Sequence, residues 1–258
     1  MIKQYWYKVK KKLLNFIANQ NNINIDNNGV TAIVNEGYLH IQRAIEYVPF
    51  YNLNKDGLIV DVGGGKGTTA VMFAQKFRKA HVLVFEPLSK NFNEIVVKTS
   101  KFQNIEVVNK ALGATTKSDR INVTNNINSS SLLGINKDIQ EQKFKEMLNS
   151  NESETIQIAK LDDELINFKN DINILKIDTQ GYELEVLKGA INTLPRVKII
   201  VVEVANHSFY ENAPMYFEID DFLRSNGFVL NDMIPAMLKN RKLFEWDCIY
   251  LNKTVSQF

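Results

Sequence analysis

Cysteine is almost absent from this chain of 258 residues, in which Cys248 is the only one. A lone cysteine excludes an internal disulfide and a metal cluster held by thiolates, and it is typical of proteins from a reducing compartment. Because Cys248 is followed by the apolar residues Ile249 and Tyr250, it is predicted to fill the core rather than to react.

Long hydrophobic runs and an excess of one charge are absent too. No apolar run approaches the roughly 18–20 residues of a membrane span, and the N-terminus lacks the apolar core of a signal peptide. The 31 Lys and Arg against 29 Asp and Glu give a formal net charge of +2, which does not indicate a nucleic-acid partner. These absences predict a cytoplasmic protein that neither spans a membrane nor binds nucleic acid.

The N-terminal segment, residues 1–20, is the exception to this balance of charge. Apolar residues recur there every three or four positions, and five lysines without an acid occupy the other side. The pattern predicts an amphipathic helix whose partner is an anionic membrane surface, its own domain or a second copy in a homo-oligomer. An asparagine-rich loop at 19–28 and a helix at 37–51, with a break at Pro49, complete a helical N-terminal extension over residues 1–50.

From residue 51 onward, short apolar runs alternate with helical patterns. Strands are predicted at 57–62, 81–86, 104–109, 172–177 and 197–203, and helices at 67–79, 88–100, 181–194 and 215–226. Such alternation predicts a parallel sheet with helices on both faces. The strands predicted at 227–230 and 245–252 follow each other without a helix, so they form an antiparallel hairpin at the sheet edge. The fold class is therefore α/β, a Rossmann-like, mostly parallel sheet of seven strands with an antiparallel C-terminal hairpin.

More than sixty residues, at about 110–171, separate the third and fourth parallel strands. They contain strand-like pieces at 119–124 and 155–160 and a helical piece at 136–149. Because an insertion of this length in a compact fold usually shapes a site, residues 51–258 are predicted to form one domain with a cap-like insertion.

A dense run of glycines follows the first of these strands, in the segment Leu58–Gly67 with the sequence LIVDVGGGKG. A strand, a tight turn and a helix N-terminus in this order form the place where α/β proteins bind nucleotide-like ligands. The dinucleotide pattern G-x-G-x-x-G is excluded because Thr68 stands at its last glycine. The P-loop is excluded because Val60 and Gly67 stand where it needs glycine and Ser or Thr.

The pattern that remains is an acid followed by three alternating glycines, namely Asp61, Gly63, Gly65 and Gly67. A carboxylate here would repel a pyrophosphate, whereas it suits a ligand with an ammonium and a sulfonium, which is S-adenosylmethionine. The alternative is a glycine turn that only lets the strand and the helix pack closely.

Further polar residues stand at the predicted carboxyl ends of the strands, where ligands bind in open parallel sheets. Glu86 follows Gly65 by 21 residues, a spacing that suits acceptance of hydrogen bonds from two ribose hydroxyls. Asn109 and Lys110 end the next strand, where an adenine ring would lie, although Asn109 is equally typical of a plain turn.

Acidic residues also end the fourth and fifth strands, at Asp178 and Glu203, and Glu183 stands at the start of the following helix. Their positions predict a carboxylate-rich floor beside the ligand cleft. His207 lies four residues beyond Glu203, and a histidine in such a loop can act as a general base, a metal ligand or a substrate clamp. A surface histidine without a catalytic role is the alternative.

These motifs resemble the FkbM family of S-adenosylmethionine-dependent methyltransferases. The resemblance rests on the glycine turn, Phe85-Glu86-Pro87, Ala111-Leu112-Gly113, Ser129-Ser130-Ser131-Leu132, Leu161-Asp162-Asp163, the block from Leu175 to Glu183, the block from Val186 to Ala190, and Trp246-Asp247. It covers roughly residues 57–252 and leaves out residues 1–50. Members more often carry Glu where Gln180 stands and Asn at or near Lys66, so the turn after Asp178 departs from the family pattern.

The resemblance implies methylation of a hydroxyl group, commonly on a sugar or a polyketide-like alcohol. The acceptor we expect first is a nucleotide-activated sugar or a surface-polysaccharide precursor; a non-sugar alcohol and a lipid-linked glycan are the alternatives. A nucleic-acid amino-methyltransferase would carry an Asn/Asp-Pro-Pro-aromatic block in place of Asp178-Thr179-Gln180-Gly181. Two hypotheses from other classes stay open: a NAD-dependent sugar-modifying enzyme, and a protein that binds a nucleotide-type ligand without catalysis.

A sugar hydroxyl is a poor nucleophile when neutral, so methyl transfer to it needs a base or a metal ion. We expect His207 or Asp178 to accept the proton, with Glu183 and Glu203 orienting one of them. In the alternative, Asp178, Glu203 and His207 bind Mg²⁺ or Mn²⁺, which acidifies the hydroxyl.

Overall fold

The computed structural model describes residues 23–25, 31–34, 38–137, 139, 142–149, 152–207, 209–239 and 242–255. The helix predicted at 1–20 lies outside these ranges. The strands are β1 Ile23–Ile25, β2 Thr31–Val34, β3 Leu58–Val62, β4 Val82–Phe85, β5 Ile105–Val108, β6 Ala111–Leu112, β7 Lys117–Val123, β8 Glu152–Ala159, β9 Ile172–Ile177, β10 Val197–Ala205, β11 Phe228–Lys239 and β12 Lys242–Asn252. The helices are α1 Leu39–Phe50, α2 Thr68–Lys76, α3 Ser89–Thr99, α4 Gln142–Leu148, α5 Leu161–Glu164, α6 Glu183–Lys188 and α7 Tyr216–Ser225, with 3₁₀ turns at Ile127–Ser129 and Leu194–Arg196.

One large sheet has the strand order β1-β2-β11-β12-β10-β9-β3-β4-β5. Strands β5, β4, β3, β9 and β10 run parallel to one another. Strand β12 runs antiparallel to β10, and β11 runs antiparallel to β12. This confirms the predicted fold, a mostly parallel Rossmann-like sheet of seven strands that ends in an antiparallel C-terminal hairpin.

Two short strands extend the sheet beyond the predicted seven. Strand β2 pairs with the far end of β11, and β1 pairs with β2, both in the antiparallel sense. The predicted helical extension therefore contains two strands before α1, and the segment predicted as an asparagine-rich loop contains β1. The physical reason lies in the long edge strand β11, whose backbone N–H and C=O groups would otherwise stay unpaired.

Helices cover both faces of the sheet. Helices α1 and α2 pack on one face, and α6 and α7 pack on the other. The helix predicted at 37–51 is α1, and it ends at Phe50, one residue after Pro49. None of the helices in the described ranges is long and apolar enough to span a bilayer.

A layer of polar side chains interrupts the sheet face that α1 covers. The strand register pairs Asp61 with Lys176, and Glu203 with Asp247. Side chains alternate between the two faces of a strand. All four polar residues therefore point toward the α1 face, since their neighbours along the strands fill the core on the opposite face.

The predicted insertion forms a small sheet of its own, in the order β6-β8-β7, together with helix α4. Strands β7 and β8 overlap the predicted strand-like pieces, and α4 lies inside the predicted helical piece. A bridge between Ile135 and Tyr210, and a cluster that includes Phe144 and Phe209, join the insertion to the loop at 206–215. The described residues of the insertion and of this loop are called the cover below.

Candidate active site

A cleft with a cavity volume of about 230 Å³ opens at the carboxyl ends of β3, β4 and β9. The cover contributes Asn128 and Ser130 to its walls. Open parallel sheets bind their ligands at this location. Of the predicted site residues, the lining contains Gly63, Gly65, Glu86, Lys110 and Asp178.

The glycine turn after β3 depends on a close backbone contact. Gly63 has a φ of +80°, and a Cβ atom there would lie 1.9 Å from the carbonyl oxygen of Asp178. Only glycine fits this position, because the ends of β3 and β9 touch through their backbones. Gly67 lies outside the cleft lining and instead forms the N-cap of α2, with a φ of +69°. Gly67 thus has a structural role in starting the helix, and its predicted ligand contact stays a prediction.

The N–H groups of the first three glycines of this turn are engaged within the protein. Those of Gly63 and Gly64 donate to the carbonyl oxygen of Phe85, at 3.0 and 3.1 Å. The N–H group of Gly65 donates to Glu86 Oε2 at 2.8 Å. A bound pyrophosphate would need these donors, so the turn agrees with the sequence-based exclusion of a phosphate-binding loop.

Glu86 lies in the cleft lining with its side chain almost fully buried. Its Oε1 accepts the N–H of Leu88 at 3.0 Å. Burial raises the pKa of Glu86 to about 7, against the opposing effect of its hydrogen bonds. Asn91 Oδ1, also buried in the lining, has no hydrogen-bond partner among the described residues. A ligand with a hydroxyl or amino donor would satisfy this oxygen.

The end of β5 contributes Lys110 to the cleft but not Asn109. Lys110 lines the cleft and forms an ion pair of 2.7 Å with Glu164. The side-chain amide of Asn109 donates to the carbonyl oxygens of Glu86 and Pro87, both at 2.9 Å. This side chain therefore fastens the turn after β4, and the ligand contact predicted for Asn109 stays a prediction.

A buried ion pair lies beneath the glycine turn. Asp61 has no exposed surface, and its Oδ1 lies 3.3 Å from Nζ of Lys176. The same Nζ donates to the carbonyl oxygen of Gly63 at 2.9 Å and lies 3.5 Å from Asp178 Oδ2. Asp61 is absent from the cleft lining. The cation that Asp61 faces in this structure is Lys176, and the ligand contact predicted for Asp61 stays a prediction.

Charge and burial oppose each other in this group. Burial raises the pKa of Asp61, and the nearby Lys176 counteracts part of that effect. Burial alone would lower the pKa of Lys176, but the charges of Asp61 and Asp178 hold it above its ordinary value. The lysine therefore stays protonated in the interior, where its single positive charge offsets part of the charge of the two carboxyl groups.

Asp178 faces the cleft with 38 % of its side chain exposed. The Nε2 group of Gln180 donates to Asp178 Oδ1 at 2.9 Å and to Glu203 Oε2 at 3.1 Å. Burial would raise the pKa of Asp178, but Lys176 and the hydrogen bond from Gln180 hold it below its usual value. Asp178 thus presents an ionised carboxylate of fixed orientation to the cleft at neutral pH.

Glu183 and Glu203 lie behind Asp178 rather than in the cleft lining. Glu183 accepts the N–H groups of Thr179 at 2.8 Å and Gly181 at 3.1 Å, so it shapes the turn that carries Asp178. Both glutamates line a separate small cavity of about 20 Å³. Burial raises the pKa of both, and that of Glu203 lies well above its usual value.

His207 is exposed, and its ring packs 4.9 Å from the ring of Phe244. It lines neither the cleft nor the small cavity, so the structure does not bring it to Asp178. Within the described ranges, no three His, Cys, Asp or Glu side chains are grouped so as to hold a metal ion. The geometry does not support the Mg²⁺ or Mn²⁺ site predicted from His207, Asp178 and Glu203, because the amide of Gln180 lies between the two carboxylates.

Sequence-based prediction missed three residues of this region. Tyr38 lines the cleft, and Lys176 joins its floor. His40 Nδ1 lies 3.1 Å from Asp247 Oδ2, and burial, assisted by Lys176, lowers the pKa of His40 to about 4. A lysine inside an otherwise apolar strand was a signal for Lys176. Nothing in the sequence links His40 to an aspartate more than 200 residues away.

The family model described as the methyltransferase FkbM domain matches residues 61–230 of this chain. Similar solved structures include the methyltransferase FkbM from Methylobacillus flagellatus KT, with 15% sequence identity and a TM-score of 0.46. The similarity covers 76% of this chain and 44% of that chain. Magnesium protoporphyrin IX methyltransferase from Synechocystis PCC 6803 with bound SAH has 11% identity, 85% and 84% coverage and a TM-score of 0.48. The fibrillarin pre-rRNA processing protein from Methanococcus jannaschii has 14% identity, 78% and 68% coverage and a TM-score of 0.47.

The chain spans less than half the length of the Methylobacillus protein. No curated protein sequence matches it. The family model, however, covers well over half of the chain, from β3 into β11. The chain therefore belongs to the FkbM methyltransferase domain family.

Proposed function

We propose that this chain is an S-adenosylmethionine-dependent O-methyltransferase that acts on a hydroxyl group of a sugar. The observation that carries the proposal is a single cleft that joins the glycine turn and Glu86 to the Asp178 carboxylate. The N–H groups of Gly63, Gly64 and Gly65 already donate within the protein and would not be free for a pyrophosphate, which separates this site from a dinucleotide or P-loop site.

The donor end of the cleft fits a nucleoside. Glu86 Oε2 accepts one N–H group and keeps acceptor capacity, and Asn91, whose amide donates to Glu86 Oε1, has an unpartnered Oδ1, so a ribose with two hydroxyls would satisfy these two oxygens. Leu88, Ala111 and Leu112 form an apolar part of the lining, which suits a purine ring. When bound, S-adenosylmethionine would supply a methyl group on a positively charged sulfur.

Asp178 is the residue we propose to act on the acceptor. Its carboxylate is ionised, exposed to the cleft and fixed by Lys176 and Gln180. As the new carbon–oxygen bond forms and the carbon–sulfur bond breaks, Asp178 takes the proton of the attacking hydroxyl and later releases it to water. The same negative charge favours a cationic donor over its neutral product. Asp178 is preferred to His207 because His207 does not line the cleft.

Polar side chains in the cleft wall support a substrate rich in hydroxyl groups. Asn128, Ser130 and Tyr182 offer side-chain donors and acceptors, and Tyr38 adds an aromatic ring. An exposed lysine, Lys66, stands at the same cleft and suits the diphosphate of a nucleotide-activated sugar. A non-sugar alcohol and a lipid-linked glycan are the alternative acceptors.

The proposal also includes a cytoplasmic location of the protein. It further includes contact of residues 1–20 with a membrane surface or with a second copy of the chain.

Calorimetry with S-adenosylhomocysteine, S-adenosylmethionine and NAD tests the donor. We expect both sulfur compounds to bind one per chain and NAD not to bind. Absence of S-adenosylhomocysteine binding would contradict the proposal, and binding of NAD alone would favour a NAD-dependent enzyme.

Incubation with S-adenosylmethionine and a panel of nucleotide sugars, with products identified by mass spectrometry, then tests the acceptor. Methylation of simple alcohols but of no sugar would move the function to the non-sugar alternative.

A further inference from the structure

Gln180 stands at the meeting point of three parts of the chain. Its Nε2 donates to Asp178 at the end of β9 and to Glu203 at the end of β10. Its Oε1 lies 2.9 Å from the hydroxyl of Tyr210, which belongs to the cover. Its carbonyl oxygen accepts the hydroxyl of Ser131 at 2.7 Å. One side chain therefore connects the cleft, the small acidic cavity and the cover.

The backbone of Gln180 shows that this position is maintained against strain. Its φ is +56°, in the left-handed region that residues other than glycine rarely adopt. The next residue, Gly181, also has a positive φ, of +95°. Backbone strain of this kind persists where surrounding contacts over-determine the conformation, and here the hydrogen bonds of the Gln180 side chain and carbonyl supply those contacts.

The electrostatic surroundings of Gln180 are strongly acidic. The titratable groups around Asp178 and Glu203, the two carboxyl groups that it bridges, are His40, Glu183, Tyr210, Glu245 and Asp247, with Lys176 as the cation paired with Asp178. Burial, and after it the charge of Asp178, raises the pKa of Glu203 well above its usual value and that of Glu245 to about 7. Carboxylates that face one another in such a place need a proton, a cation or shared hydrogen-bond donors between them.

The geometry points to Gln180 as a positioning residue whose two amide hydrogens take the place of a proton or a cation between Asp178 and Glu203. An amide NH₂ group has two hydrogens, and here each lies toward one carboxylate. The arrangement fixes the orientation of Asp178 at the cleft without adding charge. This role holds whether or not the chain transfers a methyl group, so its test measures stability rather than turnover.

The substitution Gln180→Glu keeps the shape of the side chain and replaces the NH₂ donor by a carboxyl oxygen. It thus places a third carboxyl group beside those of Asp178 and Glu203. A purely spatial role would leave this variant like the wild type. In the inferred role, the new carboxyl group has a pKa in the folded state above its value in the unfolded chain. A carboxyl group whose pKa is raised by folding destabilises the folded state, and this loss of stability grows as the pH rises from the unfolded pKa to the folded pKa.

Thermal unfolding of the full chain at pH 5 and pH 8 measures this difference. We expect the Tm of Gln180→Glu to fall relative to wild type by at least about 3 °C more at pH 8 than at pH 5. The matched control is Gln142→Glu, because Gln142 also donates to a glutamate, Glu146, at 2.8 Å, but on an exposed helix face. Its pH-dependent change should be within about 1 °C.

A second variant separates the acidic group from a general loss of packing. Adding Glu203→Gln to Gln180→Glu again pairs one amide with one carboxylate, but the amide is now at position 203 and the carboxylate at position 180. We expect this double variant to recover a measurable part of the Tm lost at pH 8. An equal Tm difference at both pH values for Gln180→Glu, or no recovery in the double variant, would overturn the assignment.

Discussion

Gly63 and Asp178 touch through their backbones, since a Cβ atom on Gly63 would lie 1.9 Å from the carbonyl oxygen of Asp178. In return, the N–H group of Asp178 donates to the carbonyl oxygen of Val62 at 3.1 Å. The turn proposed to bind the donor and the carboxylate proposed to act on the acceptor therefore rest on the same contact. A displacement of one of them moves the other.

The substitution Gly63→Ala should be severe for this reason. It adds a Cβ to a left-handed backbone and forces it against a carbonyl oxygen, so we expect a loss of about 3 kcal/mol or more in the free energy of unfolding. The affinity for S-adenosylhomocysteine should fall with it. Urea unfolding and calorimetry measure the two effects.

Gly227→Ala is the matched control for Gly63→Ala. Gly227 also has a positive φ, +86°, yet a Cβ there would meet no atom within 4 Å. It should show only the cost of the left-handed conformation, about 1–2 kcal/mol, and unchanged affinity for S-adenosylhomocysteine. Equal losses in the two variants would show that the contact with Asp178 is not the cause.

Replacing Lys176 by Met should leave Asp61 buried without its cation. Breaking a buried pair in this way typically costs about 3–5 kcal/mol. The pKa of Asp61 is already raised by burial, and loss of Lys176 would raise it further. Because an acid with a raised folded pKa contributes less stability as the pH rises, the loss should be larger at pH 8 than at pH 5.

Lys198→Met provides the comparison for this experiment. Lys198 also pairs with an aspartate, Asp171, at 3.1 Å, but that partner is 56 % exposed. We expect a loss below about 1 kcal/mol with little dependence on pH. Urea unfolding of both variants at the two pH values gives the result, and a pH-independent loss in Lys176→Met would contradict the prediction.

His40 should make the wild-type protein sensitive to acid. Folding lowers its pKa from 6.5 to about 4, so the folded state binds fewer protons than the unfolded chain between these values. Stability present above pH 6.5 is therefore lost as the pH falls through this window, by up to about 3 kcal/mol. His40→Gln, which cannot titrate, should lose less stability than wild type between pH 7 and pH 4.5 in urea unfolding.

His81→Gln tests whether this acid sensitivity belongs to His40. His81 likewise lies 3.1 Å from a carboxylate, that of Glu106, but its side chain is 39 % exposed. The variant should follow the wild-type curve. If His81→Gln and His40→Gln respond alike, burial of His40 is not the source of the effect.

Asp178→Asn should separate chemistry from binding in the proposed reaction. Loss of the proton acceptor is expected to lower kcat about 10²–10⁴-fold. The affinity for S-adenosylmethionine should fall more than that for S-adenosylhomocysteine, because only the former carries a positive sulfur. Initial rates and calorimetry test this, and His207→Ala should keep nearly wild-type rates. Reduced rates in His207→Ala with normal rates in Asp178→Asn would reverse the assignment.

Local patterns were enough to predict the parallel strands, the glycine turn and the position of Glu86. Side-chain direction at the strand ends was harder to predict. Nothing local in the sequence indicated that strand alternation places Asp61 under the turn beside Lys176, or that the Asn109 amide donates to backbone carbonyls. His207 sits in a loop whose course depends on packing against Phe244, which no short sequence pattern encodes.

Relationships between distant segments account for the remaining differences. The short strand β1 carries too weak a signal by itself, and it forms because β2 and β11 extend the sheet. His40 meets Asp247 only because α1 packs over the ends of β10 and β12. Such pairs arise from the topology of the sheet, so a window of neighbouring residues contains no information about them.

The cover is built from two stretches that share one hydrophobic cluster, with Phe144 from the insertion and Phe209 from the loop after β10. Neither stretch can be exchanged alone without exposing half of that cluster. A homologous cover could therefore be transplanted only as both stretches together. For the same reason, natural divergence of the cover should proceed by paired substitutions across the cluster rather than by drift of a single loop.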